Sequence, residues 1–194
     1  MLVDLINDLL DLSALQARGG VMKIETLEIP ALIDSAVELL QDRASKREIV
    51  THHFPAVELP ALAVDLRSTI QCLTNILGNA IKYSPDGSKI CVDAERSGEF
   101  VLIKARDIGI GIPESELSDV TELFHHAENN MTTPTQAVGL GLSITEKLME
   151  RQGGYLEIES SPDVGTTVRL AFRISLDGND KPSDKQPDDL QAGC

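Results

Sequence analysis

Three short stretches of this sequence carry side chains that could do chemistry together. In Asn75-Ile-Leu-Gly-Asn-Ala-Ile-Lys-Tyr-Ser84, Asn79 follows Asn75 by four residues, and Lys82 and Tyr83 follow Asn79 by three and four. On a helix these positions share one face, so amide oxygens, an ammonium and an aromatic ring stand side by side. Such a face could hold a phosphate chain with its metal ion. Asp107-Ile-Gly-Ile-Gly-Ile-Pro113 sets a carboxylate ahead of two glycines, whose bare backbone can approach a flat ring closely. Gly139-Leu-Gly-Leu-Ser-Ile144 reads as the opening of a helix, where N–H groups and the positive dipole end favour phosphate. Together the three imply a site for ATP. Taken alone, the asparagine helix reads first as a solvated face whose Lys82 complements the helix dipole, and a turn former with Gly109 is the lesser alternative for Asp107. The glycine segments, in this company, argue against both.

In order and spacing these stretches resemble the motifs of the catalytic and ATP-binding domain of sensor histidine kinases, within the GHKL or Bergerat-fold ATPase superfamily. Asn75 to Pro85 resembles the family's N box, Asp107 to Pro113 its G1 box, Gly139 to Ile144 its G2 box, and Gly165-Thr-Thr167 its last glycine box. The resemblance implies that Asn79 gives a carbonyl oxygen to Mg2+ with Asn75 in support. Lys82 would contact phosphate as a point charge, which makes Asn75 and Lys82 the expected catalytic pair. Tyr83 would line the base or sugar, and Asp107 would accept a hydrogen bond from the adenine amine. Gly109, Gly111 and Ile112 would close on the ring, while Gly139, Leu140, Gly141 and Leu142 would turn backbone toward the phosphates. Thr166 or Thr167 would back up Asp107. The chain departs from the family pattern at Ala137 and Ala127, and it has no Lys or Arg between Asp107 and Gly139.

Composition sets limits. With 17 Lys and Arg against 31 Asp and Glu, the net charge of -14 opposes sequence-independent attraction to nucleic acid or an anionic membrane. Cys72, Cys91 and Cys194 lack metal-ligand spacing and suggest neither a zinc site nor a disulfide framework. No apolar run approaches a membrane span, so a cytoplasmic fragment, with a longer or tethered sensor still open, is the expectation.

The elements that must position these residues follow from periodicity. Leu2, Leu5, Leu9 and Leu12 form a helical stripe ending at Arg18-Gly-Gly20, which resembles the end of a dimerisation-bundle helix. Residues 1–18 hold no histidine, so the family's phosphoacceptor would come from elsewhere. Lys23 to Ile29 predicts an edge strand, and Leu32, Ala36, Leu39 and Leu40 a helix to about Arg47. Glu48 to Phe54 predicts a strand carrying His52 and His53. Val64 to Tyr83 predicts a helix buried through Leu66, Ile70, Leu73, Leu77 and Ile81. Ile90–Ala94 and Phe100–Ala105 predict a hairpin running into Asp107. Residues 114–138 read as a short helical pattern and then a lid containing His125 and His126. A helix from Gly139 to Gln152 and strands at Tyr155–Glu159 and Thr166–Ile174 complete the domain.

The predicted fold is a two-layer α/β sandwich, with a mixed sheet covered by helices on one face. Residues 1–20 would be the bundle helix, 21–176 the ATP-binding domain and 177–194 a disordered acidic tail. The expected function is the ATP-binding half of a histidine kinase, with ATP and Mg2+ as cofactors and a response regulator and a histidine-bearing dimerisation helix of a homodimer as partners. A degenerate nucleotide-binding or partner-binding regulatory module, or another ATPase or serine kinase of the superfamily, are the alternatives.

Overall fold

The computed structural model describes residues 21–53, 59–118, 120–121 and 140–174. The leucine stripe of residues 1–20, the lid with His125 and His126, Gly139 and the acidic tail lie outside the described residues.

The chain enters through β1 (Ile24–Leu27), and α1 (Ile29–Ser45) starts on Pro30, whose fixed φ suits a first helical turn. β2 (Val50–His53) and β3 (Leu62–Asp65) precede the long α2 (Leu66–Tyr83). The hairpin β4 (Lys89–Ser97) and β5 (Phe100–Arg106) turns at Gly98, which takes the left-handed conformation with φ of 60°. After the short α3 (Glu114–Leu117), α4 (Gly141–Arg151) leads into β6 (Tyr155–Ser161) and β7 (Gly165–Arg173).

Five strands form one mixed sheet in the order β2-β4-β5-β7-β6, parallel only between β2 and β4. Strand alternation sends Ile90, Val92, Val101, Ile103, Ala105, Val168, Leu170 and Phe172 to one side, where they share a core with Leu32, Ala36, Leu73, Leu77, Ile144 and Leu148 of the helices. The sheet's other face is charged: Lys104 pairs with Glu95 at 2.7 Å and Arg169 with Glu159 at 2.6 Å. Among the described residues the core-forming helices therefore cover one face, as the order of strands and helices predicted.

Three expectations need correction. Val64 belongs to β3, which pairs antiparallel with β1 as a separate two-stranded sheet, and the helix begins at Leu66. The buried side of α2 is Cys72, Leu73, Ile76, Leu77, Ala80 and Ile81, with Leu66 exposed. On α1, Leu39 is likewise exposed, because it lies about 100° around the helix from Leu40, which is buried.

Asp65 starts α2 as its N-cap, its Oδ1 accepting the Ser68 N–H at 2.8 Å and its Oδ2 the Lys23 N–H at 2.9 Å. Its own N–H donates to Gln152 Oε1 at 3.0 Å, and Thr69 donates to the same oxygen at 3.2 Å, so the start of α2 is tied to the end of α4. Burial pushes the Asp65 carboxyl up, but the Ser68 and Lys23 bonds outweigh it and hold the group below its usual range. A depressed carboxylate contributes stability that is present above its unfolded value and lost as pH falls through the folded one. Asp65→Ala is expected to cost about 1 kcal/mol at neutral pH, by denaturant titration, and the difference from wild type should shrink as pH falls through the acidic range.

Candidate nucleotide-binding site

Helix α2 forms the floor. Asn75 donates from Nδ2 to the Gly141 carbonyl at 3.1 Å and to the Thr145 hydroxyl at 3.2 Å, and that hydroxyl donates to the same carbonyl at 2.8 Å. The asparagine thus fixes the first turn of α4 against α2. One turn further, Asn79 is half-buried and its side chain makes no hydrogen bond among the described residues. Gly78 sits between them, and a Cβ there would meet nothing within 4 Å. A glycine in mid-helix costs about 1 kcal/mol against alanine, and here it leaves this face uncovered.

α4 begins at Gly141, with Leu140 as an N-cap that supplies no side-chain bond. The N–H groups of its first turn have no helical acceptor, so they present partial positive charge next to Asn75. Leu140 buries its side chain in the core, and its carbonyl accepts from the Ser143 hydroxyl and the Ile144 N–H, each at 2.9 Å. Leu142 packs partly on the same core.

At the other end of α2 lies Asp107, 8% exposed at the tip of β5. Its Oδ1 accepts the Gly109 N–H at 2.8 Å and the Thr166 N–H at 3.3 Å, and its own N–H donates to the Thr166 carbonyl at 2.9 Å. Among the described residues no donor meets Oδ2. Burial pushes this carboxyl above the usual aspartate range, and the two N–H bonds counter the rise only in part.

The need for glycine around Asp107 comes from the chain itself. A Cβ on Gly109 would sit 2.6 Å from the Tyr83 carbonyl, which packs the loop on the end of α2. Gly165, at φ of 127°, lies so close to the Asp107 carbonyl that a Cβ would fall 2.1 Å from it. A Cβ on Gly111 would meet the Ser161 carbonyl at 2.0 Å.

Ser160 and Arg47 are residues that sequence reasoning missed. The Ser160 hydroxyl accepts the Ile112 N–H at 2.8 Å and lies 2.9 Å from the Gly165 carbonyl and 2.8 Å from the Thr166 hydroxyl, so it joins the Asp107 loop to the last glycine turn. Arg47 donates from Nη1 to the carbonyls of Ile81 and Lys82, the latter at 2.8 Å, and from Nη2 to that of Ser84 at 2.9 Å. It therefore complements the negative end of α2, leaving Lys82 with Nζ 2.9 Å from the Tyr83 hydroxyl and 4.5 Å from its ring centre.

The two threonines are separated by the pleat. Thr166 bonds Asp107 on the helical side, whereas Thr167 lies across from Arg106 and Glu159 on the open face and does not join the site. His52, opposite Cys91 on the sheet's edge strand, is exposed and belongs to no cluster.

The sandwich thus carries the Asp107 loop, the polar face of α2 and the open start of α4 along one helix, an arrangement that suits a nucleotide. The chain belongs to the histidine kinase-, DNA gyrase B- and HSP90-like ATPases, whose family model matches residues 64–176. It is 35% identical over 178 residues, 89% of its length, to the non-motile and phage-resistance protein of Caulobacter vibrioides, and covers 21% of that protein. It is 30% identical over 87% of its length to the cell-division control histidine kinase PdhS of Brucella anthropi, covering 17% of it. The chain thus spans about a fifth of the length of these curated relatives. Full-length ShkA, solved in complex with AMPPNP, shares the fold at a TM-score of 0.77 and 24% identity, over 88% of this chain and 35% of that one.

Proposed function

We propose that this chain is the ATP-binding catalytic domain of a cytoplasmic two-component sensor histidine kinase, presenting the γ-phosphate of Mg-ATP to a histidine outside residues 1–194. The observation that carries the reading is Asp107: a buried carboxylate with one oxygen engaged and the other open, at the end of a helix face whose far end meets an unclaimed helix start. An open acceptor oxygen suits the exocyclic amine of adenine and meets a carbonyl acceptor on guanine. Lys82 would place a point charge on the phosphates, and the N–H groups of Gly141 and Leu142 would bind them through the helix dipole. Tyr83 and Ile112 would border the base, with Gly109 and Gly111 shaping the loop. Asn75 would hold α4 in place, and Thr166 would hold Asp107.

The donor set fits Mg2+ carried on the nucleotide. Among the described residues no three His, Cys, Asp or Glu could hold a metal ion, whereas the Asn79 amide oxygen has no partner and suits a hard cation already bound to phosphates. When bound, the ion would neutralise charge on the transferring phosphate. Phosphoryl transfer then asks of this chain positioning and charge rather than a nucleophile. By its resemblance to sensor histidine kinases, the accepting histidine would sit on a dimerisation helix and the phosphate pass to a response regulator. No helix among the described residues is long and apolar enough to cross a membrane.

Calorimetry should find Mg-ATP preferred over Mg-GTP by about tenfold or more, since an unpaired buried acceptor costs about 1 to 3 kcal/mol. Because burial raises the Asp107 carboxyl, acidification should weaken ATP binding at a pH above that at which an ordinary aspartate takes a proton. Asp107→Asn should abolish both the purine preference and that acid limb. Equal affinities for the two nucleotides, or an unaltered Asp107→Asn, would remove Asp107 from the site.

A regulatory nucleotide-binding module without transfer activity is the second reading, favoured by the absence of Lys and Arg from residue 108 to residue 138. Incubated alone with γ-labelled Mg-ATP, the chain should stay unlabelled; supplied with a histidine-bearing bundle helix of its full-length protein, it should yield acid-labile phosphate on that helix. No transfer to the helix, with ATP bound, would favour the regulatory module.

A further inference from the structure

We propose that Arg47 is a positioning residue for the nucleotide site, holding the C-terminal carbonyls of α2 so that the Lys82 ammonium stays available to phosphate; this rests on reading the α2 face as the ATP site. The last carbonyls of a helix lack intrahelical donors and carry its negative dipole end, and a lysine in the final turn ordinarily bends back to them. In α2 they are already taken. Arg47 reaches the carbonyls of Ile81, Lys82 and Ser84 with its two terminal nitrogens, and its Nε lies 2.7 Å from Asp86 Oδ1.

The chain around Arg47 is built to aim it. Ile49 donates to the Ala44 carbonyl at 3.0 Å across the end of α1, Glu48 between them has φ of 55°, and the Arg47 carbonyl accepts the Gly87 N–H at 2.9 Å. Two segments thus grip each other: the exit of α1 and the turn that ends α2. Asp86 is the exposed partner, with 72% of its side chain accessible, and a surface pair of this kind contributes little. The carbonyl bonds are the ones that matter, because they are charge-assisted and because a planar fork spreads its donors over acceptors set apart from one another, where a point-like ammonium has a shorter span. Lys82, released from its own helix end, rests on the Tyr83 hydroxyl and ring instead.

Phosphate and base should respond separately to changes at Arg47. Calorimetry on the whole chain with adenosine and with Mg-ATP should show Arg47→Gln losing Mg-ATP affinity by about tenfold or more, with adenosine affinity within about twofold of wild type. Combining it with Lys82→Ala should add little further loss, since both changes remove the same contact. Arg47→Lys, which keeps the charge should the glutamine variant not fold, is expected to fall between the two for Mg-ATP and to match wild type for adenosine. Asp86→Ala should bind both like wild type. Equal losses of adenosine and Mg-ATP in the Arg47 variants, or losses fully additive with Lys82→Ala, would reduce Arg47 to a structural cap and overturn the proposal. A wild-type chain that binds no Mg-ATP would instead overturn the site reading, and this inference with it.

Discussion

A carboxylate largely withdrawn from water is unfavourable, and Asp107 imposes that constraint on everything around it. The fold answers with backbone rather than with a counter-charge. Gly109 and Thr166 turn N–H groups onto Oδ1, β7 pairs with the strand end through the Thr166 carbonyl, and Gly165 lets the two strands close to a distance no side chain would allow. An arginine beside the carboxylate would have been a stronger stabiliser. It would also have filled the oxygen that a nucleobase amine can use.

From that point the site is organised along α2. Eight residues separate Asn75 from Tyr83, about 12 Å of helix, and each end is pinned by a different partner. Asn75 holds α4, Gln152 ties the far end of α4 back to the start of α2, and Arg47 holds the carbonyls that close α2. Between these pins Gly78 and Asn79 leave a polar face that no other described residue covers. The core below, from Leu73 and Leu77 to Ile103 and Leu170, gives that face a rigid base.

Much of this was legible because the relevant information is local. Asn75, Asn79 and Lys82 declare themselves by helical spacing, Asp107 by its strand end and glycines, and the hairpin and sheet by alternation. What stayed hidden acts across the chain. Arg47 meets its carbonyl partners 34 to 37 residues away, and Ser160 meets Ile112 48 residues away, distances at which neither periodicity nor turn chemistry carries a signal. β3 escaped notice because its four residues, with Leu62 and Val64 buried, run directly into the apolar pattern of α2. Thr166 and Thr167 are equivalent on paper, and only the pleat of β7 decides which of them faces Asp107.

The central claim is that one face, running from Asp107 along α2 to the start of α4, receives ATP. Mapping backbone amide shifts by NMR as Mg-ATP is added tests it most directly. The largest changes should fall at Asn79, Lys82, Gly109, Gly141 and Leu142, with His52, Lys104 and Arg169 on the sheet's edge and open face unmoved. Shifts concentrated on that open face, with α2 and the Asp107 loop silent, would contradict it.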